Sequence, residues 1–115
     1  MIKGHILVTG GFGNIGLPLV NQLLESKYFV YVVDSLYNEN ALSNFDKMNF
    51  RVRASYIDLI YMPHLWTDIK FDKIIHLAYY NNPNNIEFEY FRAINTNIIG
   101  TTHLIKRCLK DECSL

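Results

Sequence analysis

Thr9-Gly-Gly-Phe-Gly-Asn-Ile-Gly16 is the stretch whose reading decides the fold. On its N-terminal side, His5-Ile-Leu-Val-Thr9 is a short apolar run that stops at glycine, the pattern of a strand buried on both faces. On its C-terminal side, Ile15, Leu19, Val20, Leu23 and Leu24 recur at helical spacing. They predict an amphipathic helix from about Asn14 to Ser26. Pro18 falls in or just after its first turn, where the earliest N–H groups lack intrahelical partners anyway. A glycine loop between a strand and a helix permits a tight turn and lets bare backbone approach a diphosphate. The helix N-terminus then offers free N–H groups and a partial positive charge. Gly11-x-Gly13-x-x-Gly16 satisfies the general dinucleotide pattern, and Gly10-x-x-Gly13-x-x-Gly16 a narrower one. The bland alternative is a tight turn that binds nothing.

Working outward, Phe29-Val-Tyr-Val-Val33 is a second buried strand, closed by Asp34. Residues 35 to 50 are polar and mixed, with a short helix expected around Ala41–Lys47. Arg51 to Ile57 alternates as a third strand, closed by Asp58. Met62 to Ile69 is expected to form a short helix with Pro63 near its start. Lys73-Ile-Ile-His-Leu-Ala78 is a fourth strand, and Asn81 to Asn85, with Pro83, a turn. A long helix is expected from about Ile86 to Lys110. Ile94, Ile98, Thr101, Ile105 and Cys108 form its apolar stripe. Lys106, Arg107 and Lys110 lie near its C-terminal end, where positive charge suits the helix dipole.

Near-continuous apolar strands alternating with helices imply an α/β fold with a parallel sheet covered on both faces. Right-handed crossovers make it doubly wound, Rossmann-like, with strand order 3-2-1-4. The 115 residues suffice for one domain, 1–115, and not for two. Half the residues are apolar and the net charge is zero, so no electrostatic footprint exists for nucleic acid or an anionic membrane. No apolar run reaches the ~18 residues of a membrane span. No signal-peptide pattern opens the chain, and a cytoplasmic location is the expectation. Cys108 and Cys113 match no metal or redox spacing and read as plain thiols. His5, His64, His76 and His103 are scattered, with no metal-ligand spacing.

Asp34 stands 18 residues after Gly16. A carboxylate there accepts hydrogen bonds from both hydroxyls of an adenosine ribose and repels a 2′-phosphate. NAD is therefore favoured over NADP. The alternative is an aspartate that merely opens a turn. Asp58 has a similar alternative as the cap of the next short helix. His76 reads more readily as a satisfied histidine at a strand end than as a catalytic group. Gly100, unfavourable in mid-helix by about 1 kcal/mol against alanine, is explained by close packing of that helix on the sheet.

Thr9-Gly-Gly-Phe-Gly-Asn-Ile-Gly16 resembles the TGGxGxIG of the extended short-chain dehydrogenases/reductases, which include nucleotide-sugar epimerases and dehydratases. Asp34-Ser35-Leu36 is similar to that family's Asp-Asn-Leu, and Asp58-Leu59 to its Asp-Leu, which contacts the adenine. His76-Leu77-Ala78 resembles its His-Leu-Ala-Ala, and Thr96-Asn-Ile-Ile-Gly-Thr101 its Asn-x-x-Gly-Thr. The motifs fall in order across essentially the whole chain. The resemblance implies an NAD cradle made of Gly10, Gly13, Asn14, Ile15, Gly16, Asp34, Ser35, Leu36, Asp58, Leu59, Leu77, Ala78, Tyr79 and Asn97.

Two departures stand out. Tyr79 replaces the small residue that usually borders the cofactor, and a second ring, Tyr80, follows it. The family's Tyr-x-x-x-Lys base is absent: none of the eight tyrosines has lysine four residues on. The resemblance therefore assigns no catalytic residue here, and the chain ends where a fifth strand, with its Ser or Thr, is expected. The expected function is the NAD-binding portion of an epimerase- or dehydratase-like protein; the alternative is a non-catalytic dinucleotide-binding or interaction module. The fourth strand would be a bare edge, and part of the long helix's stripe would be exposed. Both invite a homodimer or a second polypeptide that supplies the missing half.

Overall fold

A computed structural model describes residues 1–35, 51–79, 91 and 94–115. The expected helix at Ala41–Lys47, the turn at Asn81–Asn85, Leu36 and Tyr80 lie outside these residues. Strand β1 is His5–Thr9, helix α1 Gly16–Glu25, β2 Phe29–Val33, β3 Val52–Ser55 and β4 Lys73–His76. A 3₁₀ segment, Leu59–His64, precedes β4. A π-helical turn, Asn95–Ile99, runs directly into helix α2, Gly100–Asp111. The sheet is parallel throughout, in the order β3-β2-β1-β4. That is the architecture expected from the sequence.

β1 is central, paired over its whole length with β2 and from Ile6 to Thr9 with β4. Its alternate residues feed two cores. Ile6 and Val8 join Phe12, Val20, Leu24, Val30 and Val32 on the α1 face. Leu7 joins Tyr31, Val33, Phe71, Ile74 and Leu104 on the α2 face. A strand buried on both sides has no polar face, which is why this one reads as an unbroken apolar run.

The element between β3 and β4 differs from the expectation of a helix over Met62–Ile69. The helical turn comes earlier, at Leu59–His64, because the Asp58 carboxylate caps it by accepting from the Ile60 amide at 3.3 Å. After His64 the backbone leaves helical space, with Leu65 extended and Trp66 at φ 47°. The carbonyls of Leu65, Trp66 and Ile69 instead accept from the Arg107 guanidinium at 3.1, 2.5 and 2.6 Å. Arg107 Nε also donates to Asp111 at 2.8 Å, and the guanidinium lies over the Phe71 ring. Asp111 accepts in addition from the Phe71 amide at 3.0 Å. A buried cation on α2 thus gathers the carbonyls of the non-helical stretch after His64.

The π-helical turn and α2 together turn a different face inward from the one their apolar spacing marks. Thr96, Gly100, Leu104, Arg107, Cys108 and Asp111 are buried. Ile94, Ile98 and Ile105 are 47%, 61% and 47% exposed. Part of the stripe is exposed as expected, and only its Cys108 is buried. Gly100 is explained by close approach, but to the 3₁₀ segment rather than to a strand: a Cβ there would meet that of Leu59 at 2.5 Å. β4 is not entirely bare at its outer edge. Ser114 bridges to Lys73 in parallel, and its carbonyl accepts from the Ile74 amide at 3.0 Å.

Removing the guanidinium leaves a buried carboxylate and three carbonyls without their donor. Arg107→Met is expected to lower the unfolding free energy by about 3 kcal/mol, measured by urea denaturation, whereas the exposed Lys106→Met changes it by less than about 0.5 kcal/mol.

Candidate functional site

The glycine loop sits on the C-terminal end of β1, between the ends of β2 and β4. The Gly10 amide donates to the Val33 carbonyl at 2.8 Å. Its φ is 71°, a conformation that favours glycine. A Cβ there would stand 2.9 Å from the Ala78 amide nitrogen. Gly16 is equally constrained, because a Cβ would strike the Gly10 carbonyl and Gly11. Gly13 is different. A Cβ there would have one neighbour, the Gly10 carbonyl oxygen at 3.4 Å, an ordinary contact. Internal packing does not require glycine at 13, so its bareness keeps the outer surface of the loop open.

Phe12 fastens the loop from beneath. Its ring is 6% exposed and stacks on Tyr56 with centroids 5.4 Å apart. Its amide donates to Asp34 Oδ2 at 3.1 Å. That bond ties the end of β2 to the loop and holds the Asp34 carboxylate beside it. Helix α1 then begins with no side-chain cap. Among the described residues, none accepts a hydrogen bond from the amides of Asn14, Ile15 or Gly16. All three belong to the set of N–H groups that a helix start leaves without intrahelical partners. An open glycine, uncapped amides and an adjacent carboxylate together make a surface suited to a phosphate with a sugar next to it.

The other side of the crevice is built by hydrogen bonds from Thr9. Its hydroxyl oxygen accepts from the amides of Leu77 and Ala78, both at 3.1 Å. With its lone pairs engaged, its O–H donates to His76 Nδ1 at 2.6 Å. The ring proton therefore resides on Nε2, which donates to Thr101 Oγ1 at 2.9 Å. Thr101 in turn donates to the Asn97 carbonyl at 2.6 Å. This arrangement holds a neutral imidazole, and burial lowers the His76 pKa below 6.5. His76 is thus the satisfied histidine that the sequence favoured. It joins β1, β4 and the π-helical turn that carries Asn97.

A second link comes from Asp58, which does cap the 3₁₀ segment. Its two carboxylate oxygens also accept from the buried Thr96 hydroxyl at 2.8 Å. Thr9, Thr96 and Thr101 stand in the quoted motifs, but their partners lie 38, 25 or 67 residues away, and spacing alone gave them no role.

The expected site residues thus fall into groups. Gly10, Gly13, Asn14, Ile15, Gly16 and Asp34 surround the loop, with Ser35 exposed beside Asp34. Leu77 and Ala78 border it across the Gly10 contact. Tyr79 follows them, 72% exposed. Asp58 is bonded to Thr96 of the π-helical turn, which also carries Asn97. Leu59 points its side chain into the core, where it is 2% exposed. Among the described residues, no group of three His, Cys, Asp or Glu side chains could hold a metal ion, and no helix is long and apolar enough to cross a membrane.

A statistical profile of the NAD dependent epimerase/dehydratase family matches residues 6–115. The chain belongs to that family. It corresponds to the family's N-terminal Rossmann-like part. It is 32% identical to UDP-glucose 4-epimerase 2 of Arabidopsis thaliana over 118 aligned residues, covering 94% of this chain and 33% of that protein. It is 31% identical to UDP-glucuronic acid decarboxylase 4 of the same plant, covering 88% of this chain and 22% of that protein. Among solved structures, UDP-glucose 4-epimerase of Thermotoga maritima, crystallised with UDP-glucose, superposes with a TM-score of 0.77 at 28% identity. That match covers 95% of this chain and 35% of the epimerase. The dTDP-glucose 4,6-dehydratase DesIV of Streptomyces venezuelae, with NAD bound, gives 0.77 at 28%, over 95% of this chain and 37% of the dehydratase. The chain therefore spans about a fifth to about a third of the length of such relatives.

Two measurements check this geometry. Gly10→Ala is expected to lower stability by about 2 kcal/mol, since it adds both a left-handed alanine and a backbone clash. Gly13→Ala is expected to change stability by less than about 0.5 kcal/mol. His76 has a folded pKa below its unfolded 6.5. Its contribution to stability is complete above 6.5 and is lost as pH falls through 6.5 towards the lower folded value. Denaturation across that window should show a smaller loss on acidification in His76→Gln than in the parent chain.

Proposed function

We propose that this chain is the NAD(H)-binding portion of a nucleotide-sugar epimerase or dehydratase, with the diphosphate on the 13–16 amides and the adenosine ribose on Asp34. The observation that carries the reading is the pairing of an uncapped helix start, open at Gly13, with a carboxylate held 3.1 Å from the Phe12 amide. A carboxylate in that place accepts from ribose hydroxyls and repels a 2′-phosphate, which favours NAD over NADP. NAD(H), when bound, supplies the acceptor and donor of hydride for a sugar carbon. The chain's own residues bind and orient. The Gly10–Ala78 contact fixes the floor between β1 and β4, and Tyr79 gives an aromatic wall at the border beyond it.

No Tyr-x-x-x-Lys pair occurs in the 115 residues, so this reading gives them binding and orientation and assigns them no catalytic residue. The same absence favours a second reading, a dinucleotide-binding or interaction module without catalysis. Both readings share the cradle. We also propose association through the outer face of α2, by a second copy or by a polypeptide that continues the sheet. Ile94, Ile98, Ile105 and Leu109 are exposed there, in the helix next to the β4 edge.

Calorimetry tests the cradle. NAD is expected to bind more tightly than NADP. Asp34→Ala should weaken NAD by about tenfold, equivalent to about 1.4 kcal/mol, and narrow the gap between the two dinucleotides. Gly13→Val should remove binding of both while leaving the fold intact. Equal affinity for NAD and NADP in the parent chain would overturn the Asp34 assignment. Light scattering after size exclusion tests association: a mass above one chain is expected, and a stable monomer at high concentration would count against it.

A further inference from the structure

The cysteines, which the sequence leaves as unrelated thiols, meet in the fold. Cys108 lies in the last turn of α2, 8% exposed; Cys113 follows the helix end and is more accessible. Glu112, at φ 58° and ψ 39°, reverses the chain between them, and the Cys113 amide donates to the Cys108 carbonyl at 3.0 Å. This closing turn, with a left-handed residue after the helix and a bond back across it, brings the two Sγ atoms to 3.5 Å. Both are free thiols. Immediately after Cys113, Ser114 pairs with Lys73 on the outer edge of β4.

We propose that Cys108 and Cys113 are a reversible dithiol/disulfide site whose oxidation pins the end of α2 to the segment that pairs with the β4 edge. The oxidant is a low-molecular-weight disulfide such as oxidised glutathione. The more accessible Cys113, as thiolate, attacks one sulfur of that disulfide, breaks its S–S bond and expels one glutathione thiolate. Cys108, as thiolate, then attacks Cys113 Sγ in the mixed disulfide and expels the second glutathione. The protein loses two electrons and two thiol protons, and the oxidant leaves as two reduced thiols. Burial, the hydrogen bond to Cys108 and the nearby Asp111 push the Cys113 thiol up to about 12. Exchange is therefore slow at neutral pH and faster in mildly alkaline buffer, because only the thiolate reacts. The pair is a slow lock rather than a rapid peroxide sensor.

The test is to incubate the folded chain with oxidised glutathione in mildly alkaline buffer, quench with acid, alkylate under denaturing conditions and weigh the product. The expected species is a monomer about 2 Da lighter than the reduced chain, with neither cysteine alkylated and full reversal by dithiothreitol. Cys108→Ser and Cys113→Ser should each stop at a glutathione adduct or remain reduced. In the oxidised parent, hydrogen exchange at the Ile74 amide, which donates to Ser114, should slow, and the thermal midpoint should rise by about 4 °C. A stable mixed disulfide, an interchain dimer as the only oxidised form, or two freely alkylated thiols would each overturn the proposal. The same disulfide-to-dithiol ratio for folded and denatured chain at equilibrium in one glutathione redox buffer would also overturn it, because the folded turn would then contribute nothing.

Discussion

The structure depends on a constraint at the end of β1. The central strand must leave the sheet within a single residue and enter a helix, in a space bounded by the ends of β2 and β4. Gly10 meets it with a left-handed backbone and an amide held by the Val33 carbonyl, and a Cβ there would stand 2.9 Å from the Ala78 amide nitrogen. Once the chain turns there, Phe12 is driven into the core, its amide captures Asp34, and α1 starts with its amides facing out. The features that make the site are consequences of that one turn. On the opposite side, the Thr9 hydroxyl accepts from the Leu77 and Ala78 amides just past β4 and meets His76 Nδ1. The crevice walls are therefore fixed by bonds within the protein before any ligand arrives, which reduces the ordering cost of binding.

The sheet was legible in the sequence because each of its strands is a local pattern. Runs such as His5–Thr9 and Phe29–Val33 are apolar on both faces, and the glycine loop punctuates the first of them. The boundaries of β1 and β2 fall where those patterns do, whereas β3 occupies only Val52–Ser55 of the expected Arg51–Ile57 and β4 stops at His76 rather than Ala78. The geometry of the glycine loop was legible for the same reason, since Gly10 and Gly16 answer to backbone conformation and close approach, and Asp34 to its place at the end of β2. What the sequence did not show depends on partners far away. The 3₁₀ segment starts at Leu59 rather than Met62, because Asp58 caps it and Arg107, some 40 residues on, draws away the carbonyls that follow. No window of local spacing contains that information.

Helix α2 shows the same limit in another form. The most regular apolar spacing, Ile94 and Ile98 before α2 and Ile105 within it, faces outward, and the inward face of α2 carries Gly100, an arginine and an aspartate. Periodicity finds a stripe but does not state which surface it meets. A close approach at Gly100 and a buried ion pair set the rotation of this helix, and the isoleucines take what is left. The family resemblance anticipated the fold. The hydrogen-bond chain through Thr9, His76, Thr101 and Asn97, and the meeting of Cys108 with Cys113, required the folded geometry.

The central claim is that backbone amides at the start of α1, with Asp34 beside them, hold a dinucleotide. Its most direct test is a titration of isotopically labelled chain with NAD, followed amide by amide in nuclear magnetic resonance. The account predicts that Gly13, Asn14, Ile15 and Gly16 shift most, with the residues around Asp34 and Ala78 next and the outer face of α2 unmoved. Saturable shifts centred on the outer face of α2, with the 13–16 amides still, would contradict it.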